Sequence, residues 1–387
     1  GSVPLMIAGN VKLPFKKPVI IGYGIIQPEG YNYSVTQRRD DSANVLDDSY
    51  SPGNELFIGQ YLSQNSSHET YVIAGIGWEV SSHLSAGVTI QGLYRTQTIN
   101  SSYYGRALTT QTNNAGFQLA STDVSYFADY TYIGLLGKVG LAWEDQTHHV
   151  GILVTIPNIK LGGSGTLLCD NALSNIVIAP GTPPVSFLAN TRQKSLTPKW
   201  NTPFSVAFGY TQDFEKWQLY LAGEYFAPVR KYAVLLPRKD FFIRGDTAQT
   251  NDLTPDLLQL QDEKSNLFNW SVGMSYRMLK GWSLYSTFRS NYSYADRNRL
   301  NNEKNISSFW QNTSYWNLYN LQAGVNIKRD NFNMRAGIYF NFGGTDLFQQ
   351  DVNLSNVSDK NLLLGDITNT TARYTAFGFM LSYIHNF

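Results

Sequence analysis

Along much of the chain, apolar and polar residues alternate one by one. In NWSVGMSYRMLKGWSLYSTFRSNYSY, Trp270, Val272, Met274, Tyr276 and Met278 alternate with Asn269, Ser271, Gly273, Ser275 and Arg277. After Leu279 to Gly281 the pattern resumes, with Trp282, Leu284 and Phe288 set against Ser283, Thr287, Arg289 and Asn291. Successive side chains of a strand point to opposite faces, so a period of two predicts a hairpin with one apolar and one polar face. NLQAGVNIKRDNFNMRAGIYFNFGG repeats the arrangement around Asp330 and Asn331. Four more hairpins fit, with turns near Phe15 to Lys17, Ser81 to His83, Asp145 to Thr147 and Asp213 to Lys216. The chain ends on RYTAFGFMLSYIHNF, where Phe377, Phe379, Leu381, Tyr383 and Phe387 share one face.

Each short turn is followed, one strand later, by a long polar stretch. These connections fall at about 28–69, 100–130, 163–201, 230–265, 296–313 and 344–370. Short turns at one end and long loops at the other are the asymmetry of an outer-membrane barrel. The strands run to roughly nine residues or more, enough to cross a bilayer when tilted, whereas strands of soluble sandwiches average about five or six. Aromatic residues gather near strand ends, as at Trp78, Trp143, Trp217, Trp282, Trp316 and Tyr383, which suits interfacial girdles. The expected fold is therefore all-β: one transmembrane antiparallel barrel spanning 1–387, with the apolar face of the last strand in lipid.

Six hairpins and the terminal strand make thirteen strands, yet single-chain bacterial barrels normally have an even number. Either NELFIGQYL (54–62) hides one more, or an ascending strand precedes Gly1; the second is favoured, with Gly1-Ser2 an artificial start.

Composition narrows the picture. Aromatic residues make up 14% and charged residues 15%, against about 25% charged in an average soluble domain. A formal net charge of +1 gives no global field to gather nucleic acid. The lone Cys169 rules out an intramolecular disulfide framework and multi-cysteine metal sites. No run of about 18 apolar residues suggests a helical span, but a mean hydropathy of -0.26 is compatible with alternating barrel strands.

Several segments resemble the FadL family of outer-membrane transporters for long-chain fatty acids and other hydrophobic compounds, also described as OMPP1/TodX. GYGIIQPEG (22–30) resembles the family's Gly-x-Gly strand end followed by Pro-x-Gly. VGLAWEDQTHHVGILVTIPNIKLGGSG (139–165) looks like its central hairpin, and TPFSVAFGYTQDFEKWQLYLAGEYF (202–226) like the Pro-led hairpin that follows. The resemblance implies fourteen strands, which would supply the missing ascending one. It also implies an N-terminal plug, the hatch, usually with an Asn-Pro-Ala motif; this chain carries no such segment.

Passive uptake of a hydrophobic small molecule from the outside, such as a long-chain fatty acid, is the expected function. The family's extracellular loops form an apolar groove, which here corresponds to Leu167, Leu168, Ile176, Val177, Ile178, Phe187, Leu188, Leu235, Phe241, Phe242 and Ile243. Arg192, Lys194, Arg238 and Arg244 are the candidates for a substrate carboxylate. Inward faces carry Arg95, Lys138, Glu224, Arg277, Arg289 and Arg335, which either guide an anionic head group or pair within the wall. Pro157, in VTIPNIK, removes a ladder donor and predicts a bulge, either an ordinary one or the edge of a lateral exit.

No nucleophile and base can be paired in the sequence, since His83, His148, His149 and His385 fall at or near the short-turn rim and His68 stands apart; an enzyme is not expected, nor any cofactor or metal. The expected partners are outer-membrane lipid and the ligand. The alternative reading is a non-transporting scaffold that holds another outer-membrane protein or a secretion complex.

Overall fold

A computed structural model of the chain describes residues 5–15, 17–28, 30–110, 118–179, 181–244, 254–295, 309–310, 316–366 and 368–385. The strands are β1 (Leu5–Leu13), β2 (Val19–Gln27), β3 (Tyr31–Ala43), β4 (Glu55–Ser81), β5 (Leu84–Leu108), β6 (Leu119–Glu144), β7 (His148–Ile176), β8 (Val185–Leu196), β9 (Ser205–Asp213) and β10 (Trp217–Phe226). They continue with β11 (Val229–Leu235), β12 (Ile243–Arg244), β13 (Leu260–Lys264), β14 (Leu267–Leu279), β15 (Trp282–Asn291), β16 (Phe309–Trp310), β17 (Asn317–Lys328), β18 (Phe332–Gln349) and β19 (Asn369–His385).

One sheet holds sixteen strands, and thirteen of them form a continuous path: β1-β2-β4-β5-β6-β7-β9-β10-β14-β15-β17-β18-β19. Every step on that path is antiparallel. All six short turns fall where the alternation puts them, and the thirteen strands are those it counts. NELFIGQYL is the start of β4 and adds none. The two ends of the path, β1 and β19, are not joined by a ladder among the described residues.

The sheet is strongly curled, because one cavity is lined by residues from β2, β4, β5, β6, β7, β9 and β10 together with Tyr294, which follows β15. Tyr285 shows how the pleat adapts inside the curl. Its ring lies over Gly324 and Gly337 of the next two strands, where any Cβ would collide with it, so the tyrosine covers backbone that glycine leaves bare.

The outward face is an apolar belt. On β19, Phe377, Phe379, Leu381 and Tyr383 are 61–78% exposed, while Gly378 and Met380 between them are less so; Phe387 lies outside the described residues. Aromatic rings bound the belt at both ends. Trp217 packs tilted against Tyr276 at 4.4 Å and Phe332 stacks on Tyr383 at 6.1 Å near the short turns. Trp270, Phe288, Tyr319 and Phe342 touch in sequence at 5.4–5.8 Å toward the other end. From Phe332 to Phe342 the chain rises about 25 Å for a strand tilted about 40°, the height of a barrel's lipid-facing band.

Past the upper girdle the structure departs from expectation. β4, β5, β6 and β7 have 27, 25, 26 and 29 residues, so much of what polarity marks as connection at 28–69, 100–130 and 163–201 is strand. β3 pairs with the upper half of β4, β8 with the upper half of β7, and β12 with β8. A strand in water has no reason to be apolar outside, so its composition is that of a loop. Within 230–265, β11 and β13 form a separate small sheet with β16. The stretch 344–370 begins and ends in strand, and 296–313 lies almost wholly outside the described residues.

Two hydrophobic cores fill the inner side of this extension. One gathers Tyr126, Tyr130 and Tyr132 of β6 with Leu167 and Cys169 of β7, Ala189 and Leu196 of β8, and Leu235, Phe242, Leu258 and Leu260. The other packs Val352, Leu354, Val357 and Leu363, from the connection before β19, onto Phe57 and Tyr61 of β4, Tyr103 of β5 and Leu173 and Ile176 of β7.

Candidate functional site

The cavity, of about 390 Å³, lies in the upper part of the curled sheet. Its wall is mixed. Ile26, Pro28, Ile73, Leu136, Pro203 and Phe226 supply apolar surface; Tyr71, Gln91, Lys138, Thr155, Thr202, Ser205, Glu224 and Tyr294 supply polar groups. Glu224 accepts a hydrogen bond from the Ser205 hydroxyl at 2.6 Å. Lys138, on the inward face of β6, has no hydrogen-bond or ion-pair partner among the described residues.

Directly above, past Tyr71, lies a buried polar cluster. Arg95 on β5 forms an ion pair with Glu69 on β4, donates from Nε to the Tyr130 hydroxyl at 3.2 Å, and from Nη2 to Gln97 Oε1 at 2.7 Å. Gln97 passes the chain on to Asn65 at 2.8 Å, and Tyr71, which also lines the cavity, donates to Glu69 at 2.6 Å. Both the Arg95 guanidinium, at 3.8 Å, and the Lys264 ammonium, at 4.1 Å, sit against the Trp200 ring. Lys264 in turn pairs with Asp262, which accepts from the Tyr232 hydroxyl at 2.7 Å. Burial pushes the Lys264 ammonium below the ordinary lysine range, and Asp262 pulls it back. Two cations and two carboxylates thus neutralise one another in a place where a lone charge would be very costly.

The side wall beside the cavity is interrupted. The register between β6 and β7 shifts between Leu135–Ile159 and Gly137–Ile156, so Pro157 and Asn158 bulge as the missing donor predicts. On its other edge β7 pairs with β9 up to Thr155–Ser205 and with β8 from Gly165–Leu196. Residues 197–204 cover the interval without forming a strand. Asn158 staples them: its backbone N–H donates to Thr202 Oγ1 at 2.9 Å, and its Oδ1 accepts from the Thr202 N–H at 2.7 Å and from that hydroxyl at 3.0 Å. Its Nδ2 donates to the Trp200 carbonyl at 2.7 Å and the Tyr132 hydroxyl at 2.6 Å.

The expected groove is divided. Leu167, Leu235 and Phe242 belong to the first core and Ile176 to the second; Val177 is buried and Leu168 half-buried. Ile178, Phe187, Leu188, Phe241 and Ile243 are exposed. The strand period decides the face on β8: Ala189, Thr191 and Gln193 turn inward, with Phe187 in their phase beyond the core, while Leu188, Arg192 and Lys194 stand outside. Arg192, Lys194 and Arg238 therefore stand on the outer wall, away from the cavity, while the Arg244 side chain lies outside the described residues. Of the six inward charges, Arg95 enters the buried cluster, Lys138 and Glu224 line the cavity, and Arg277, Arg289 and Arg335 are exposed within the curl. The alternation singles out neither Trp200, Lys264, Asp262, Glu69 nor Asn158. The nearest signal is the pair of prolines in TPKWNTP, which marks 197–203 as a non-strand segment.

No protein-family model matches the sequence, and no curated protein sequence is similar to it. Solved structures are. A Pseudomonas aeruginosa FadL homologue aligns over 97% of this chain and 77% of its own, at 11% identity and a TM-score of 0.50. The P. putida toluene transporter TodX covers 99% and 87% at 10% identity with a TM-score of 0.47, and the CymD monoaromatic hydrocarbon channel 95% and 88% at 10% identity with a TM-score of 0.44. At 11% identity the first of these establishes the fold: a large antiparallel sheet of the FadL barrel type.

Proposed function

We propose that the chain forms an outer-membrane barrel for passive uptake of hydrophobic small molecules, with long-chain fatty acids as the leading substrate class. The observation that carries this reading is the cavity: apolar on one part of its wall, of the size small-molecule sites have, and provided with an unpaired ammonium at Lys138 to hold an acidic head group. The apolar belt with its two girdles supports placement in a bilayer. Fourteen strands are proposed, the remaining one ascending between β19 and β1, with a plug below it. The Arg95 cluster is the closure that a ligand from outside must displace. The Asn158-stapled interval between β7 and β9 is the thinnest part of the wall, since Thr155, Thr202 and Ser205 line the cavity while Ile156 and Phe204 face outward.

The test is lipid mass spectrometry on the complete mature protein purified in mild detergent. Bound long-chain amphiphile that is lost in Lys138→Met, with the folded barrel retained, supports the reading; absence of any such ligand from the wild type overturns it. A scaffold role is favoured by a different observation, the exposed Phe187, Leu188, Phe241 and Ile243 high above the belt. An empty barrel with a stoichiometric protein partner would establish that role instead.

A further inference from the structure

The outward cations of β8 and its neighbours form a ladder that the cavity does not use. Lys194 and Arg192 alternate with the buried Gln193, Thr191 and Ala189, so both point away from the core. Arg238 is fastened beside them: its N–H donates to Gln193 Oε1 at 2.6 Å, Gln193 Nε2 returns a bond to its carbonyl at 2.8 Å, and its Nη2 donates to the Lys194 carbonyl at 3.1 Å. Lower down, Pro198 is buried against Gly163 and Trp200 packs on the first core, leaving Lys199 between them exposed. Lys160 on β7, in register with Gly134, has the inward phase and is not part of the ladder. Among the described residues, none of Lys194, Arg192, Arg238 and Lys199 forms an ion pair. The carboxylates that border the ladder are Asp170, in register with Asn190, Asp240, which accepts from the Thr191 hydroxyl at 2.9 Å, and, two strands away, Asp129, in register with Thr166 and accepting from the Thr98 hydroxyl at 2.7 Å.

Its height is informative. Ile156, Ile159 and Leu161 of β7 are exposed apolar residues at the top of the belt, and Lys199 follows above them, three residues beyond Leu196, which is in register with Gly165. Arg192 is in register with Leu168, which puts it about 18 Å above Leu161 for a strand tilted about 40°. The ladder thus begins where the apolar surface ends and spans the depth of a lipid headgroup layer. Uncompensated Lys and Arg at that level attract anionic lipid, and guanidinium groups pair well with phosphate.

We propose that Lys199, Lys194, Arg238 and Arg192 form a docking site for the phosphorylated headgroup of an outer-leaflet lipid. The charge of the ladder matches phosphate, and its continuity with the belt places the acyl chains against Ile156, Ile159 and Leu161. The proposal rests on the membrane placement given above, not on the substrate.

The test uses the protein reconstituted in phosphatidylcholine nanodiscs containing bisphosphorylated lipid A, with bound lipid counted by native mass spectrometry. Retained lipid A is expected to fall at least tenfold in the Arg192→Ala, Lys194→Ala, Lys199→Ala, Arg238→Ala variant. It should fall similarly when dephosphorylated lipid A is supplied to the wild type. Lys216→Ala, Lys280→Ala, Arg329→Ala at the short turns should leave retention unchanged. Equal retention in the wild type and the fourfold variant, or equal retention of the dephosphorylated lipid, overturns the proposal. So does displacement of lipid A by millimolar inorganic phosphate alone, which would mean that no acyl contact contributes. Retention of the folded form on unheated electrophoresis shows that each variant is intact. Ligand loss in Lys138→Met is independent of all these outcomes, so the two readings fail separately.

Discussion

Arg95 shows how much one side chain can hold. Its guanidinium touches Glu69, Tyr130, Gln97 and Trp200 while almost fully buried, so Arg95→Ala strands the Glu69 carboxylate without a counter-charge. Removing one member of a buried pair costs about 3–5 kcal/mol, and the variant should unfold at a lower temperature in detergent. Adding Glu69→Gln should recover part of that loss. Lys264 gives a pH signature. Burial lowers its pKa from the model-peptide 10.5, so between the lowered value and 10.5 the unfolded chain binds more protons than the folded one and stability rises with pH. In a comparison of melting temperatures from pH 8 upward, Lys264→Met should lack that increment. Cys169 is sealed in the first core, and burial, with Asp170 nearby, pushes its thiol up to about 12. Maleimide should leave it unlabelled at pH 8 in the folded protein and label it once denatured. Arg95 could be read as an inward charge from alternation alone. Its partners could not, because Trp200 and Lys264 reach it from segments that follow no period.

At the scale of elements, legibility follows the solvent. Inside the belt, an apolar outer face and a polar inner one impose a two-residue period, and every hairpin from β1 to β19 can be placed from it. Above the belt the outward residues of β4 to β7 are mostly polar, as at Gln60, Gln64, Thr96, Thr98, Asn100, Asp129 and Thr166, and the same strands read as connections. The division of the expected groove has the same origin: the composition of 166–194 and 232–245 is apolar, but strand phase decides which residues join a core. The β7 bulge was legible from Pro157, whereas its staple was not, since Asn158 and Thr202 meet 44 residues apart. Asn158→Ala removes four side-chain acceptor or donor contacts at about 1 kcal/mol each. It should lower stability by about 3–4 kcal/mol and speed proteolysis within 197–204, read by limited digestion in detergent.

For the whole molecule, the proposed closure of the cavity by the charged cluster and the first core means that a planar bilayer containing the protein should show low ion conductance. Combining Arg95→Ala with Trp200→Ala should raise it, while Lys138→Met should not; large conductance in the wild type would mark a general pore for polar solutes. The second core has a consequence of its own. It is built by the connection between β18 and β19, and its contacts to the wall join distant positions: the Arg39 side chain donates to the Leu354 carbonyl 315 residues away, and the Tyr103 hydroxyl to that of Leu363. Such non-local contacts close late, after the loop entropy between them has been spent. The part of the upper wall under the second core, with Phe57, Tyr61, Tyr103 and Ile176, therefore emerges first with its inner side bare, and only the arrival of the last hairpin seals it. A folding chain halted before β18 would present an uncovered apolar sheet to its surroundings, which makes the final strand pair the point in synthesis where a chaperone is most needed.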